Sequence, residues 1–211
     1  MSVEKTFYTI RAAKMIQSLE KRGHEGYYCS TKEEALTKAL ELIPEGDLVS
    51  WGGSQSVLEI GLTAALAQRK QRVIDRDSAS DMEERVKLQK EALAADCFLM
   101  SANAVTVDGM FVNIDGNGNR LAALVYGPKS VIVVIGVNKI VSDLKSAYER
   151  AKKIAAPLNS IRLGYKTPCT ATGVCQDCLV DDCICSQILI TRMSRIKGRI
   201  KVIIVGESLG L

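Results

Sequence analysis

The sequence lacks the features that would assign it to several large classes of protein. Its longest apolar run, Val131–Val137, is far shorter than the roughly 20 residues that cross a bilayer. The N-terminal stretch MSVEKTFYTIRAAK has no apolar centre of the kind found in signal peptides. The single histidine, His24, follows Lys-Arg-Gly in a predicted surface loop, so a Ser-His-Asp or Cys-His catalyst has little support.

Charge and aromatic content give little support for nucleic-acid binding. The formal net charge is +4, and basic residues alternate with acidic ones in segments such as DRDSASDMEERVKLQKE. Aromatic residues make up 5% of the chain, which leaves little surface for base stacking. We therefore expect a soluble cytoplasmic protein with no membrane span and no nucleic-acid partner. The sequence does not indicate an oligomeric state.

The apolar residues that are present predict an α/β fold. They make up 47% of 211 residues, enough for a buried core in one compact domain. Short strand candidates (DLVSW, RVID, CFLM, SVIVVIG and IKVIIVG) alternate with helical segments, including Gln55–Arg69 and residues 142–155. The Asp108-Gly109 pair predicts a hairpin turn. This alternation indicates a mainly parallel sheet flanked by helices, with any linker near residues 156–168.

A glycine turn, WGGSQSVLEIGL, lies between a predicted buried strand and a helix. Gly52 and Gly53 allow a ligand close to the backbone, and Ser54 and Ser56 add hydroxyl donors beside the helix N-terminus. Such a turn suits an anion, and Glu59 places a carboxylate near the same cleft. The alternative is a tight structural turn with serine caps. The motif is neither a Walker loop nor a dinucleotide fingerprint.

Further polar residues occupy predicted strand ends, where ligands gather in open α/β sheets. The segment NIDGNGNR contains Asp115 and ends in Arg120, whose guanidinium suits carboxylate or phosphate. Lys129, after Gly127-Pro128, and Lys139, after Asn138, are predicted to close two further strands. Each residue alone is compatible with a solvated turn, but together they predict a polar cleft that binds a small anionic molecule.

Five of the seven cysteines fall within residues 169–185, and in a reducing cytoplasm this density indicates metal or redox chemistry rather than disulfides. The cluster consists of Cys169, Cys175, Cys178, Cys183 and Cys185. A Cys-x2-Cys pair with two further thiolates suits either zinc or an iron-sulfur cluster, and the spacing does not choose between them. A dithiol catalyst and a set of free thiols are the other two interpretations.

Three segments in fixed order resemble the lactate utilisation (LUD) domain family, formerly a domain of unknown function. They are SWGGSQSVLEIGL, SANAVTVDGMFVNIDGNGNRLAALVYGPKSVIVVIGVNKIV and APLNSIRLGYKTPCTATGVCQDC. The resemblance runs from about residue 10 to 206. It implies a single LUD-type domain over residues 1–211, with an N-terminal helical segment 1–45 and a Cys-rich loop 169–185. It also implies a fold similar to ribose-5-phosphate isomerase and the CoA transferases, in which the glycine turn faces an anionic ligand.

The resemblance carries site residues position by position. The glycine-turn motif matches at Gly52, Gly53, Ser54, Glu59 and Gly61. The second motif matches at Asn103, Gly109, Asp115, Gly118, Asn119 and Arg120. Cys169, Cys175, Cys178 and Cys185 match the cysteines of short family members, which leaves Cys183 as the extra or alternative ligand. Larger members carry a ferredoxin-like extension with two cluster motifs, and this sequence has none.

Three functions follow from these features. The leading hypothesis is a subunit of an L-lactate oxidation system that binds a small anion at the glycine turn and a metal or cluster at the Cys-rich loop, beside iron-sulfur partner proteins. The second is an isomerase or acyl/CoA transferase with Glu59 or Asp115 as acid/base and with Arg120 and Lys129 holding the anion. The third is a regulatory or scaffold subunit without chemistry of its own.

Overall fold

The computed structural model describes residues 2–211, and strands alternate with helices along most of that range. The strands are β1 Glu25–Cys29, β2 Val49–Trp51, β3 Val73–Ile74, β4 Cys97–Met100, β5 Ala104–Thr106, β6 Phe111–Asp115, β7 Ser130–Gly136, β8 Ile140–Val141, β9 Gln187–Thr191 and β10 Ile200–Val205. The α-helices are α1 Val3–Lys21, α2 Lys32–Glu41, α3 Gln55–Glu59, α4 Leu62–Gln68, α5 Met82–Glu91, α6 Asn119–Val125, α7 Leu144–Arg150, α8 Ala156–Arg162 and α9 Pro168–Thr172. Short 3-10 turns cover Arg76–Ser78, Ala92–Ala94 and Val137–Lys139, and a π-helical turn covers Ala151–Ala155.

The strands form two sheets. The larger is parallel throughout, with the order β1-β10-β7-β4-β2-β3. The smaller has the order β8-β5-β6-β9, in which β5 and β9 run antiparallel to β6 and β8 runs parallel to β5. The predicted fold class, a mainly parallel α/β sheet flanked by helices with a Cys-rich segment near the C-terminus, is confirmed. The second sheet was not predicted.

The central strand β7 shows why the parallel sheet is buried on both faces. Alternate side chains of a strand point to opposite faces. Val131, Val133 and Ile135 pack into the core cluster that includes residues of α1 and α6. Ile132 and Val134 pack into the cluster beneath α2, α3 and α4. A continuous β-branched run is what a strand covered on both sides requires.

The predicted hairpin at Asp108-Gly109 is present. Strands β5 and β6 pair antiparallel across it, and the Gly109 amide donates to the carbonyl of Thr106 at 2.8 Å. Gly109 has φ +86°, a left-handed conformation that residues with a side chain adopt only at a cost. The hairpin pairs β6 with β5 in the smaller sheet, and β6 ends at Asp115.

Three sequence expectations about local structure are wrong. The helix expected over Gln55–Arg69 is divided into α3 and α4, because Gly61 between them adopts φ +76°. Residues 156–168 are not a linker, since α8 occupies Ala156–Arg162 and continues the π-helical turn. His24 is not a surface residue: it is 2% exposed, and its ring packs against that of Phe111.

No helix within residues 2–211 combines the length and the apolar composition that a membrane crossing requires.

Candidate functional site

The candidate site lies where the strand order of the parallel sheet reverses. From β2 the chain continues to β3 on one side, whereas from β4 it continues through the smaller sheet to β7 on the other side. The connections that leave the carboxyl ends of β2 and β4 therefore diverge and leave a crevice between them. In open α/β sheets, ligands bind in crevices at such switch points.

The glycine turn after β2 is one wall of this crevice. Ser54 is the N-cap of α3, and its Oγ accepts a hydrogen bond from the Val57 amide at 3.3 Å. A Cβ atom on Gly52 would lie 2.7 Å from Cδ of Arg120, and one on Gly53 would lie 2.6 Å from Nη2 of Arg76. The two arginine side chains therefore lie directly against the glycine turn, and the Arg120 contact with Gly52, which involves the middle of the side chain, leaves the less room for a Cβ.

A cavity of about 250 Å³ opens beside the turn. Cationic side chains from several connections reach its lining: Arg76 after β3, Arg85 of α5, Arg120 of α6, Lys139 after β7 and Arg162 of α8. Residues with amide and hydroxyl groups complete the polar lining: Ser54, Gln55, Gln89, Ser101, Asn103, Asn117, Asn119, Asn159 and Tyr165. No aspartate or glutamate belongs to the lining in the described part of the chain.

Two of the arginines are held by acidic residues outside the lining. Arg120 donates from Nη2 to the Ile114 carbonyl at 2.6 Å, and its Nε lies 3.0 Å from Oδ2 of buried Asp115. The Gly118 amide donates to the other oxygen of Asp115 at 3.1 Å. Arg85 donates to Asp77 at 2.7 Å. These contacts fix the positions of the guanidinium groups and neutralise part of their charge.

Arg76 is the least satisfied of the cations. Its Nε is buried and lacks a hydrogen-bond partner within residues 2–211, and the carboxylate of Asp77 lies 3.7 Å away. Burial lowers the pKa of Arg76 from its ordinary value, while Asp77 opposes this shift. A buried donor without a partner is unfavourable, so the protein groups around Arg76 do not fully satisfy its guanidinium.

Lys139 lies at the end of the 3-10 turn that follows β7, and it is 4% exposed. Its ammonium donates to Oγ of Ser56 and to Oγ of Ser101, both at 3.0 Å. Burial, followed by the charge of Arg150, lowers the pKa of Lys139 to about 7. No carboxylate within the described residues lies within 4 Å of its Nζ.

The structure brings together most, but not all, of the side chains expected at the site. The predicted residues in the lining are Gly53, Ser54, Asn103, Asn119, Arg120 and Lys139. Gly52, Ser56 and Asp115 lie directly behind it, in contact with Arg120 or Lys139. Glu59 is exposed outside the lining and accepts a hydrogen bond from the Gly210 amide at 3.0 Å. Lys129 precedes β7, so it lies at the amino ends of the parallel strands, opposite the candidate site. Its side chain is 84% exposed and pairs with Asp96.

Sequence reasoning missed Arg76, Arg85, Ser101 and Arg162. Arg76 and Ser101 follow β3 and β4 at the same sheet edge as the glycine turn, so the rule that ligands gather beyond strand ends also applied to them. Arg162 lies within the third segment that carries the family resemblance. Arg85 gave no such signal, because it sits in a helix rich in charges of both signs.

The Cys-rich segment forms a second cavity, of about 340 Å³, at the smaller sheet. Its lining includes all five clustered cysteines, Cys169, Cys175, Cys178, Cys183 and Cys185, and each is a free thiol. Lys152 of the π-helical turn reaches the rim, where it pairs with Asp177. Cys29 and Cys97 are distant from this cavity and are buried in the core of the parallel sheet, as expected.

The five thiols share one cavity without being assembled as a ligand set. Among residues 2–211, no group of three or more His, Cys, Asp or Glu side chains has an arrangement that holds a metal ion. Burial raises the pKa of Cys185 to about 12, and the nearby Cys183 and Cys175 add to this shift. Burial, followed by a hydrogen bond with Cys183, also raises the pKa of Cys178. The donor set still matches zinc or an iron-sulfur cluster in chemistry, since both take four thiolates.

The fold and the first cavity define an α/β protein with a cationic pocket at the carboxyl edge of a parallel sheet. The sequence matches the family model of the LUD domain over residues 12–205, so the chain belongs to the LUD domain family. The resemblance inferred from the three motifs is confirmed. At the level of the family, this is a lactate-utilisation-type protein.

The chain is also similar to solved structures. A DUF162 family protein from Deinococcus radiodurans, 15% identical in sequence, aligns over 93% of this chain and 97% of that chain, with a TM-score of 0.54. At this identity the likeness shows the fold alone. The eIF2B beta–delta tetramer from C. thermophilum aligns over 81% of this chain and 55% of that chain, at 15% identity and a TM-score of 0.42, which is too low to support an argument. A search of the curated proteins finds no significant match.

Proposed function

We propose that the protein is a cytoplasmic component of an L-lactate oxidation system and binds a small organic acid in the cationic cavity. The observation that carries this proposal is the convergence of four arginines and a lysine on one cavity whose described lining contains no acidic side chain. Arginine presents paired N–H groups to a carboxylate or phosphate, so a small anion is the ligand that this lining suits.

The geometry supports ligand binding more directly than the isomerase or transferase alternative. That alternative needs a free acid/base group at Glu59 or Asp115. Glu59 lies outside the lining and is bonded to the Gly210 amide, and Asp115 is bonded to Arg120 and the Gly118 amide. Both carboxylates are already bonded to protein groups, whereas the Nε of Arg76 has no partner in the described residues.

Calorimetric titration with L-lactate, pyruvate and inorganic phosphate tests the anion site. We expect at least one of these anions to bind saturably to the wild type. Arg76→Gln and Arg162→Gln should each raise its dissociation constant about tenfold or more, which is about 1.4 kcal/mol. Arg195→Gln removes the same charge at an exposed position outside the lining and serves as the matched control. Equal weakening by all three variants, or no binding of any anion by the wild type, would contradict the proposal.

We also propose that the Cys-rich segment holds a zinc ion or an iron-sulfur cluster through Cys169, Cys175, Cys178 and Cys185. The supporting observation is that these four thiols and Cys183 line one cavity. A cluster there would supply one-electron transfer to iron-sulfur partner proteins, and zinc would supply a structural crosslink. In either case the chain's contribution is to bring four sulfur donors from residues 169–185 to one cavity beside the smaller sheet.

Metal analysis of protein purified with and without oxygen tests this second proposal. We expect about one zinc per chain, or up to about four irons in anaerobic preparations. Cys178→Ser should remove most of the metal, whereas Cys183→Ser, the matched variant in the same cavity, should retain it. Absence of zinc and iron from both preparations, with the chain folded by circular dichroism, would exclude the site.

A further inference from the structure

The surroundings of Lys139 distinguish it from the other cations of the cavity. The arginines contact carboxylates, amides or open space, whereas the Lys139 amine lies between two hydroxyl groups, those of Ser56 and Ser101. The Gly210 backbone also passes over this amine: a Cβ on Gly210 would lie 3.1 Å from Nζ and 2.7 Å from Oγ of Ser56. The amine is thus enclosed by hydroxyl and backbone groups, and Lys139 is also one of the residues that line the cavity.

Charged groups on the neighbouring elements favour the neutral form of this amine. Arg150 of α7 and Arg120 of α6 repel a positive charge at Nζ, and Glu59 of α3 opposes them. Burial has a larger effect on the pKa of Lys139 than any one of these three charges. An amine without a proton is the form that attacks a carbonyl carbon, and enzymes activate lysines by this combination of desolvation and nearby cations.

We propose that the Lys139 amine forms an imine with the carbonyl carbon of an aldehyde or ketone that also carries a carboxylate or phosphate. This inference rests on the proposed anion site, which would hold the charged end of the compound against the arginines. Lys139 and the arginines line the same cavity, so a carbonyl compound with an anionic end can contact both.

The step is chemically balanced without a further reactant. The amine nitrogen bonds to the carbonyl carbon while the carbon–oxygen π bond breaks, and a proton moves from nitrogen to oxygen to give a carbinolamine. The nitrogen then gives its remaining proton to the hydroxyl oxygen, the carbon–oxygen bond breaks so that this oxygen leaves as water, and nitrogen and carbon form the imine double bond. The hydroxyl groups of Ser56 and Ser101, both next to Nζ, are positioned to relay these protons.

Reductive trapping tests the proposal. The protein is incubated with cyanoborohydride and with pyruvate, glyoxylate or glyceraldehyde 3-phosphate, and the modified lysine is identified by peptide mass spectrometry. The three compounds distinguish a carboxylate from a phosphate as the charged group. At pH 7 we expect labelling of Lys139 to exceed labelling of exposed lysines by at least about tenfold, because a far larger fraction of its amine is neutral.

Two variants and a parallel binding measurement separate the outcomes. Lys139→Met should abolish the adduct, whereas Lys197→Met, at an exposed lysine, should retain it. The adduct rate should rise through pH 7 rather than near pH 10. Labelling spread over exposed lysines, or no labelling although L-lactate binds, would overturn the imine and leave the anion site standing. Failure of both labelling and anion binding would overturn both. Mapping on wild-type protein keeps the test valid if Lys139→Met does not fold.

Discussion

At the scale of single residues, Gly52 determines where Arg120 can lie. The Cγ and Cδ atoms of Arg120 occupy the space that a Gly52 Cβ would need, at 2.8 and 2.7 Å. These atoms are in the middle of the side chain, and its Nε is paired with buried Asp115. The side chain therefore has little freedom to move without breaking this ion pair.

Gly52→Ala is expected to weaken anion binding about tenfold, or about 1.4 kcal/mol, because it displaces Arg120 from Asp115 and from the cavity. The dissociation constant of the bound anion, measured by calorimetry, checks this effect. Gly46→Ala is the matched control, since no atom lies within 4 Å of its added Cβ and its backbone lies outside the positive-φ region. Unchanged affinity in Gly52→Ala would show that Arg120 does not contact the anion.

The buried His24 makes stability depend on pH. Its two ring nitrogens have no hydrogen-bond partner in the described residues, and burial, with a smaller effect of Arg22, lowers its pKa from 6.5 to about 4. The unfolded chain therefore binds a proton on this histidine below about pH 6.5, while the folded chain does not until about pH 4. Stability is present above pH 6.5 and is lost as the pH falls towards 4.

His24→Leu is expected to remove this pH dependence. Between pH 6.5 and 4 the wild type should lose up to about 1.4 kcal/mol of unfolding free energy per pH unit from this residue, and the variant should not. Urea unfolding at pH 7, 6, 5 and 4 measures the difference between the two proteins, which cancels the contribution of the carboxylates. Parallel stability curves for the two proteins would contradict the prediction and indicate that His24 titrates normally.

At the scale of elements, the division of the predicted helix at Gly61 shapes the wall behind the glycine turn. Gly61 adopts φ +76°, and Leu62 and Leu66 of α4 then pack into the core that Val57 and Ile60 also join. A straight helix would continue the direction of α3 instead. The break thus lets two short helices bury their apolar residues on the same face of the sheet.

Gly61→Ala is expected to destabilise the fold by about 1 kcal/mol, because an L side chain disfavours the left-handed region. No atom lies within 4 Å of the added Cβ, so the effect isolates backbone strain from packing. Denaturant unfolding compares this variant with Gly46→Ala, which adds the same methyl group in open space without the positive φ. Equal unfolding free energies in the two variants would show that α3 and α4 can merge into one helix.

The elements that the sequence predicts well are those with a strong local signal. Strand β7 is a continuous β-branched run, and the hairpin between β5 and β6 has an Asp-Gly turn. Strand β1 has only half-buried residues before Cys29, and β9 alternates weakly at the edge of the smaller sheet, so neither has such a signal. Their pairing depends on strands far away in sequence, which local patterns do not contain.

The same limit applies to the site. Residues of the glycine turn and Arg120 were predictable because turn chemistry marks them. Arg76 and Arg162 come from distant connections, and only the strand order brings them to the turn. Lys129 shows the converse error: a polar residue next to a strand was taken as a strand end, but it precedes β7 and lies at the opposite edge. The predicted strand SVIVVIG begins at Ser130, so the chain direction already placed Lys129 before the strand and away from its carboxyl end.

At the scale of the whole molecule, the two cavities belong to different parts of the packing. The anion cavity lies beyond the carboxyl ends of strands in the parallel sheet. The two faces of this sheet carry two large apolar clusters. The five clustered cysteines contribute no residue to these two clusters within the described chain, and Cys185 packs against the smaller cluster of the second sheet. The stability of the parallel sheet should therefore be largely independent of what the Cys-rich segment holds.

Removing metal from the Cys-rich segment is accordingly expected to leave the main unfolding transition nearly unchanged. Chelator treatment, and separately the double variant Cys175→Ser with Cys178→Ser, should shift the midpoint temperature by less than about 4 °C, which corresponds to about 1 kcal/mol in a chain of this size. Limited proteolysis should meanwhile cut faster within residues 164–186.

Ile132→Ala, which empties part of the core, provides the comparison, because it should cost about 2–5 kcal/mol of unfolding free energy and lower the midpoint temperature by more. Cooperative unfolding of the chain on chelation would contradict the independence of the two parts, because it would mean that the thiols and the sheet fold as one unit.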